Sequence, residues 1–236
     1  MNPNYYGYYY YTGFWLLIPA IFLMMLAQFS VSSTFKKYSQ IRNSRGMTGA
    51  EAAQAVLRQN GVTNVRIERI AGNLTDNFDP RDNVIRLSEN VYNSTSIAAA
   101  GVAAHEAGHA VQYANNYAPI KLRNAIIPIT NIGSQLAWPL IFIGFIFSAF
   151  QSLALVGAFL YATVVVFQLV TLPVEFNASK RALLALEGGN ILYDDELNGA
   201  KKVLRAAAMT YVAALAVSLA QLLRIFLLVS GNNRRR

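Results

Sequence analysis

Both histidines of this 236-residue chain fall in one stretch, His105-Glu106-Ala107-Gly108-His109. Residues four apart on an α-helix share a face, with Cβ atoms about 6 Å apart, so two imidazoles can close on one cation. Glu106 sits beside that face and reaches a metal-polarised water without being a ligand. The spacing is H-E-x-x-H, two ligands for a zinc ion plus a glutamate general base. The competing reading is a pair of helix-surface histidines that fall four apart by chance. A catalytic zinc takes three protein ligands and keeps one position for water. The chain has no further histidine and no cysteine, so a third ligand must be Asp or Glu.

The elements that position these residues are set by the distribution of apolar side chains. Hydrophobic residues make up 54% of the chain, and they come in blocks. Residues 124–174, between Arg123 and Glu175, are 51 residues without a charge. One straight helix of that length would run about 76 Å, against a hydrocarbon core of roughly 30 Å. The stretch must therefore fold back, and Ser148-Ala149-Phe150-Gln151-Ser152 is its most polar place for a turn. This predicts a membrane hairpin over 131–173, with helices near 131–149 and 152–173. Phe14 to Phe35 is also uncharged and is followed by Lys36 and Lys37; it lacks the basic n-region and cleavage site of a signal peptide. Ala206 to Leu223 is uncharged too, and the apolar run passes Arg224, whose head can extend to the interface.

Four spans result, at 14–35, in the two arms of 131–173, and at 206–230. The Tyr-rich segment 1–13 reads as an aromatic interfacial belt, and 231–236 as a basic tail. The net charge of +8 comes largely from Lys and Arg flanking the spans, which are topology determinants and contacts for anionic lipid; no nucleic-acid motif accompanies them. Region 36–130, with the histidines, and segment 174–205 then share one side of the bilayer. The bare N-terminal flank and basic C-terminal flank of the first span place that side in the cytoplasm, although Arg234, Arg235 and Arg236 argue the opposite.

Within 36–130, Thr48-Gly49-Ala50-Glu51 is a capping box that opens a helix ending at Asn60-Gly61. Val65–Ile70 alternates with period two and reads as a strand; Asn77–Asn83 is turn chemistry, and Val84-Ile85-Arg86-Leu87 is a second strand. An alanine-rich helix then starts near Ser94 or Ser96 and carries the histidines to about Asn115. Carboxylates on the same side as the motif are Glu51, Glu68, Asp76, Asp79, Asp82, Glu89, Glu175, Glu187, Asp194, Asp195 and Glu196. Glu175 stands apart, because a carboxylate at the lip of a span is costly unless it is paired or metal-bound. Pairing with Lys180 or Arg181 would satisfy it equally well at this point.

The blocks Ala104–Ala110 and Leu172–Ala182, with Leu74–Pro80, Val84–Glu89, Asn131–Ser134, Phe167–Pro173 and Ala207–Ala214, occur in an order that resembles the YugP-type membrane zinc metallopeptidases. The likeness covers nearly the whole chain after the first span. The more distant HtpX and CAAX-prenyl-protease group has a similar plan, with a later E-x-x-A-D. That resemblance implies one zinc per chain, Glu175 as the third ligand, and a bacterial, multi-pass membrane location. It also places Ser179 where that group has a supporting Asp, and Asn177 where many relatives carry Asp.

The expected architecture is an α-helical membrane protein, with four transmembrane helices and a small α+β zincin-like catalytic domain. The expected activity is hydrolysis of peptide bonds, with Glu106 taking the proton of a zinc-activated water and giving it to the leaving amine. Tyr211 and Arg181 are candidates for oxyanion support, with interface packing as their plainer role. The strand Val84–Leu87 is either a pairing edge for an extended substrate or an internal sheet partner. Membrane proteins or peptides at the bilayer are the expected substrates and partners, with no nucleic acid; nothing fixes whether the chain forms a homo-oligomer. Two rivals remain: a catalytically silent zinc-binding scaffold, for which an intact Glu106 would be unnecessary, and a transporter, against which stands the lack of paired ionisable residues in the spans.

Overall fold

Long uncharged runs fold as helices because no backbone polar group can be left unpaired in hydrocarbon, and four such helices dominate the chain. The computed structural model describes residues 13–147 and 150–233. In chain order the elements are α1 (Leu17–Ser39), α2 (Gly49–Gln59), β1 (Arg66–Ile70), β2 (Asn77–Asp79), β3 (Val84–Ser88), α3 (Glu89–Tyr92), α4 (Ile97–Ala114), α5 (Ala118–Ile146), α6 (Gln151–Gly188) and α7 (Asp194–Asn233). The helices Gly13–Ser39, Ala118–Ile146, Gln151–Gly188 and Asp194–Ser230 are each long and apolar enough to cross a bilayer. The tyrosine run and the three terminal arginines lie outside the described residues, as do two positions of the expected turn at 148–152.

The chain divides into two compact units, and the divisions fall inside α1, α5, α6 and α7. The first unit holds the apolar parts of these helices, residues 13–26, 122–171 and 210–233. Ile141, Ala154, Ala158, Ile225 and Val229 form its buried centre, with Tyr161 and Phe226 packed on it. Gly144 brings α5 against Ala154 so closely that a Cβ there would lie 2.4 Å from the Ala154 backbone nitrogen. The Arg224 guanidinium stands 5.9 Å from the centre of the Phe14 ring.

The second unit holds residues Ala27–Lys121 and Leu172–Met209. Its core joins Val56 and Leu57 of α2, Ile85 and Leu87 of β3, the alanines of α4, and Leu186, Val203 and Leu204 from α6 and α7. The sheet order is β1-β3-β2, with β3 parallel to β1 (Ile67 opposite Ile85) and antiparallel to β2 (Phe78 opposite Ile85). The sequence reading took 77–83 as turn alone. Asn77–Asp79 instead forms the short strand β2, and the turn is confined to 80–83, where Asn83 adopts φ 50°. Three residues ahead of a proline, rich in Asn and Asp, carry no strand periodicity, so pairing with β3 overrides local preference.

Two further differences concern boundaries. The sequence reading separated a span ending at 173 from a segment 174–205, whereas α6 runs without interruption through Pro173 to Gly188. Pro173 removes one helical donor, but Val174, Ala178, Ala182 and Leu186 beyond it are fully buried, so packing holds the helix together. The rest of that segment belongs largely to α7, which begins at Asp194. Three acidic residues in its first turn suit the helix dipole.

Candidate metal centre

α4 is built to be buried on nearly every side. Ala98, Ala99, Ala100, Ala103, Ala104 and Ala107 are inaccessible, and Ser96 caps the helix by accepting from the Ala99 backbone N–H at 3.1 Å. An all-round apolar helix belongs in a core, which makes its polar members, His105, Glu106, His109 and Gln112, conspicuous. Small side chains let α6 approach. A Cβ on Gly108 would lie 2.6 Å from the Ala178 carbonyl oxygen, so only glycine fits that crossing.

This crossing sets the register between the two helices. Glu175 and Ser179 are four apart on α6 and share a face, and that face meets the histidines. Glu175 is buried at 2% exposure, with Oε2 3.3 Å from His105 Nε2 and 3.6 Å from His109 Nε2. All three donor atoms lie within 4.8 Å of one another. The two rings meet edge to face, with centroids 4.7 Å apart. The structure thus brings together the two histidines and Glu175 out of the eleven carboxylates the sequence allowed.

The two histidine–glutamate separations fit zinc by distance, and the donor set fits it by chemistry. Charge-assisted N–H···O hydrogen bonds run about 2.7–2.9 Å, and both histidine–glutamate separations exceed that. Tetrahedral zinc with bonds of about 2.0–2.2 Å separates neighbouring donors by roughly 3.3–3.6 Å. Two imidazole nitrogens and a carboxylate are borderline and hard ligands that suit zinc, and no thiolate competes.

Each ring is held from behind. His105 Nδ1 is 3.1 Å from Ser179 Oγ, and His109 Nδ1 is 3.0 Å from Gln112 Oε1. Gln112, fully buried, donates through Nε2 to the Val174 carbonyl at 2.8 Å and to Asn177 Oδ1 at 3.0 Å. Arg181 Nε donates to the same Asn177 oxygen at 2.7 Å, and its guanidinium lies 5.8 Å from the centre of the Tyr117 ring. Arg181 is therefore engaged with Asn177 and Tyr117. Tyr211 belongs to α7 in the first unit, not to the unit that carries the donors. Val84–Leu87 is the central strand, paired with β1 throughout and with β2 over Val84–Arg86, which matches the internal-partner alternative; the outer strands are β1 and β2.

Glu106 is nearly buried, and burial pushes its carboxyl above the usual range; His105 and His109 oppose this, while Glu175 and Asp76 add to it. For His109, burial disfavours the charged form, but the adjacent Glu175 carboxylate, the charge of Glu106 and the bond to Gln112 outweigh it and leave the pKa raised. The pocket at Nε2 therefore attracts positive charge. Sequence reasoning weighed neither Gln112 nor Asp76 in this role. The available signal for Gln112 was a polar residue one turn beyond His109 on an otherwise apolar helix. Asp76 is hidden in sequence because its link to the site runs through a loop, where it accepts from the Ser88 N–H at 2.8 Å and from Ser88 Oγ.

Comparison with known proteins agrees with this geometry. The chain is 47% identical over 219 residues to a protein of Bacillus subtilis (strain 168) named "Putative membrane protease YugP", covering 93% of this chain and 96% of that one. No solved structure gives a significant match. Residues 13–230 match the family described as "Putative neutral zinc metallopeptidase", so this chain, with four helices long enough to cross a membrane and two histidines and a buried glutamate gathered within 4.8 Å, belongs to that family.

Proposed function

We propose that this protein is a multi-pass membrane zinc endopeptidase whose metal is held by His105, His109 and Glu175, in a zincin-like unit with its catalytic side in the cytoplasm. The observation that carries the reading is the convergence of these three donors from α4 and α6 beside a buried glutamate that is not one of them. When bound, zinc lowers the pKa of a water and polarises the carbonyl of the scissile peptide.

The remaining chemistry belongs to the chain. Glu106 carries a carboxyl whose affinity for protons is raised by burial, which suits a group that takes a proton and then releases it to a leaving amine near neutral pH. Ser179 and Gln112 hold the two rings so that both Nε2 atoms face Glu175. The buried alanine surface of α4 keeps bulk water from the back of the site. Because Glu175 follows directly on a membrane-crossing stretch of α6, the fitting substrates are flexible termini, loops or peptides close to the bilayer.

The test uses the full chain purified in detergent. Wild type is expected to hold one zinc and to cleave an unstructured protein, and Glu106→Gln to keep the zinc and lose cleavage by at least about 100-fold. Equal cleavage by both chains would sink the peptidase reading; zinc without cleavage in either would favour a silent zinc-binding scaffold. Glu175→Ala is expected to lose the zinc, and a variant that kept it would remove Glu175 from the ligand set.

A further inference from the structure

The hydrogen bonds behind His109 have a direction that can be worked out from two unambiguous groups. Arg181 Nε can only donate, so the Asn177 atom that meets it at 2.7 Å is the oxygen. The Val174 backbone carbonyl can only accept, so the Gln112 atom 2.8 Å from it is the amide nitrogen. That same nitrogen donates to the fixed Asn177 oxygen at 3.0 Å. The Gln112 carbonyl oxygen is thereby left facing His109 Nδ1 at 3.0 Å, and an oxygen acceptor requires an N–H there. His109 Nε2 is then the unprotonated nitrogen of the neutral ring, and it is the one aimed at Glu175. His105 is held differently. Its Nδ1 meets the Ser179 hydroxyl, which donates or accepts equally well and selects no tautomer.

We infer that Gln112 is a positioning residue that locks His109 into the metal-ready tautomer, with Asn177 and Arg181 keeping the Gln112 amide the right way round. The two histidine ligands are then unequal: His109 is preset before metal arrives, and His105 is set by the metal itself. The chain from Arg181 through Asn177 and Gln112 to His109 spans α6 and α4 within one unit, and Gln112 is fully buried. Such outer partners fix ring orientation and typically change metal affinity by about 10–100-fold when removed. The metal-affinity part of this inference rests on the zinc reading above; the tautomer part does not.

Only two histidines are present, so a ¹⁵N-histidine-labelled full chain in detergent micelles gives two imidazole signal sets, assigned with a His105→Gln chain. In the metal-free wild type, at a pH where both rings are neutral, His109 is expected as the Nδ1–H tautomer, because Gln112 Oε1 at 3.0 Å is nearer than Glu175 Oε2 at 3.6 Å, and His105 is expected to favour Nε2–H toward Glu175 Oε2 at 3.3 Å. Gln112→Leu should convert His109 to a mixture and weaken zinc binding by about 10–100-fold in competition with a chromophoric chelator. Asn177→Leu, which removes one of the two acceptors holding the Gln112 amide, should shift both readouts in the same direction but by less, because the Val174 carbonyl still accepts from Gln112 Nε2. Asn177→Asp retains an oxygen acceptor for both donors and should keep His109 as the Nδ1–H tautomer, which guards against mere misfolding of the other chains. An Nε2–H tautomer at His109 in wild type, or an unchanged tautomer and zinc affinity in Gln112→Leu, would overturn the inference. Wild type that binds no zinc yet shows the Nδ1–H tautomer at His109 would sink the metallopeptidase reading and support the tautomer lock.

Discussion

Glu106 is a buried carboxylate and Asp76 a half-buried one, and the field of Asp76 acts on Glu106. Burial raises the Asp76 carboxyl, although the Ser88 N–H and hydroxyl partly offset it, and its negative charge in turn raises Glu106. A general base must be ionised to work, so a raised pKa moves the acid limb of the activity profile to higher pH. Asp76→Asn keeps an oxygen acceptor for the Ser88 N–H and removes the charge, so Glu106 should ionise more readily. The acid limb of kcat/KM is expected to move to lower pH in this variant, with little change on the plateau. The charge of the metal acts on wild type and variant alike, so the sign of the difference survives its presence. A limb that stays put or moves upward would show that Asp76 does not act on the base. At this scale the sequence was informative where spacing alone encodes geometry, as for His105 and His109. It was uninformative where two residues are coupled only through the fold, as for Asp76 and Glu106, or Gln112 and Asn177.

The site depends on how closely two helices cross, and Gly108 controls that distance. A methyl group there would stand 2.6 Å from the Ala178 carbonyl oxygen and 3.3 Å from its carbon, both rigid backbone atoms. Gly108→Ala must therefore push α6 away from α4, and Ala178 lies one turn beyond Glu175 on the same face. Overpacking of this kind costs about 1–3 kcal/mol of stability, and the same shift should pull the Glu175 carboxylate from the two rings. The expected result is a folded but destabilised chain with zinc affinity reduced at least about 10-fold, read by thermal unfolding and chelator competition. Wild-type affinity in Gly108→Ala would mean the crossing does not set the donor spacing. Gly101 gives a built-in contrast, because a Cβ there meets only Ala200 atoms at 3.4 Å or more; Gly101→Ala should leave zinc affinity unchanged. Element boundaries were legible where local chemistry marks them, as in the Thr48–Glu51 capping box, in which Thr48 and Glu51 each bond the other's backbone N–H. They were not legible at Pro173, where burial of the residues beyond it outweighs a local helix-breaking signal.

At the scale of the whole chain, the four helices of bilayer-crossing length allow an alternation on which the proposed function depends. On the proposed multi-pass reading, with each helix crossing once, region 36–121 and the α6–α7 connection at 189–193 would share one side, and the connection between α5 and α6 would lie on the other. Such an alternation would let α4, which precedes α5, and Glu175, near the end of the apolar part of α6, contribute to one centre on one side of the bilayer. The proposed cytoplasmic location of that shared side rests on the basic residues Lys36, Lys37, Arg42 and Arg45, directly after α1 or at its end. The chain contains no cysteine, so single cysteines report without background. Arg58→Cys, at the exposed end of α2, and Ser152→Cys, exposed near the start of α6, should behave oppositely in intact cells. A membrane-impermeant maleimide is expected to label Ser152→Cys at once, and Arg58→Cys only after the membrane is opened. The reverse pattern would keep the alternation and place the catalytic side outside the cytoplasm. Labelling of both in intact cells would break the four-crossing arrangement, and with it the account of how one zinc centre draws ligands from both flanks of the hairpin.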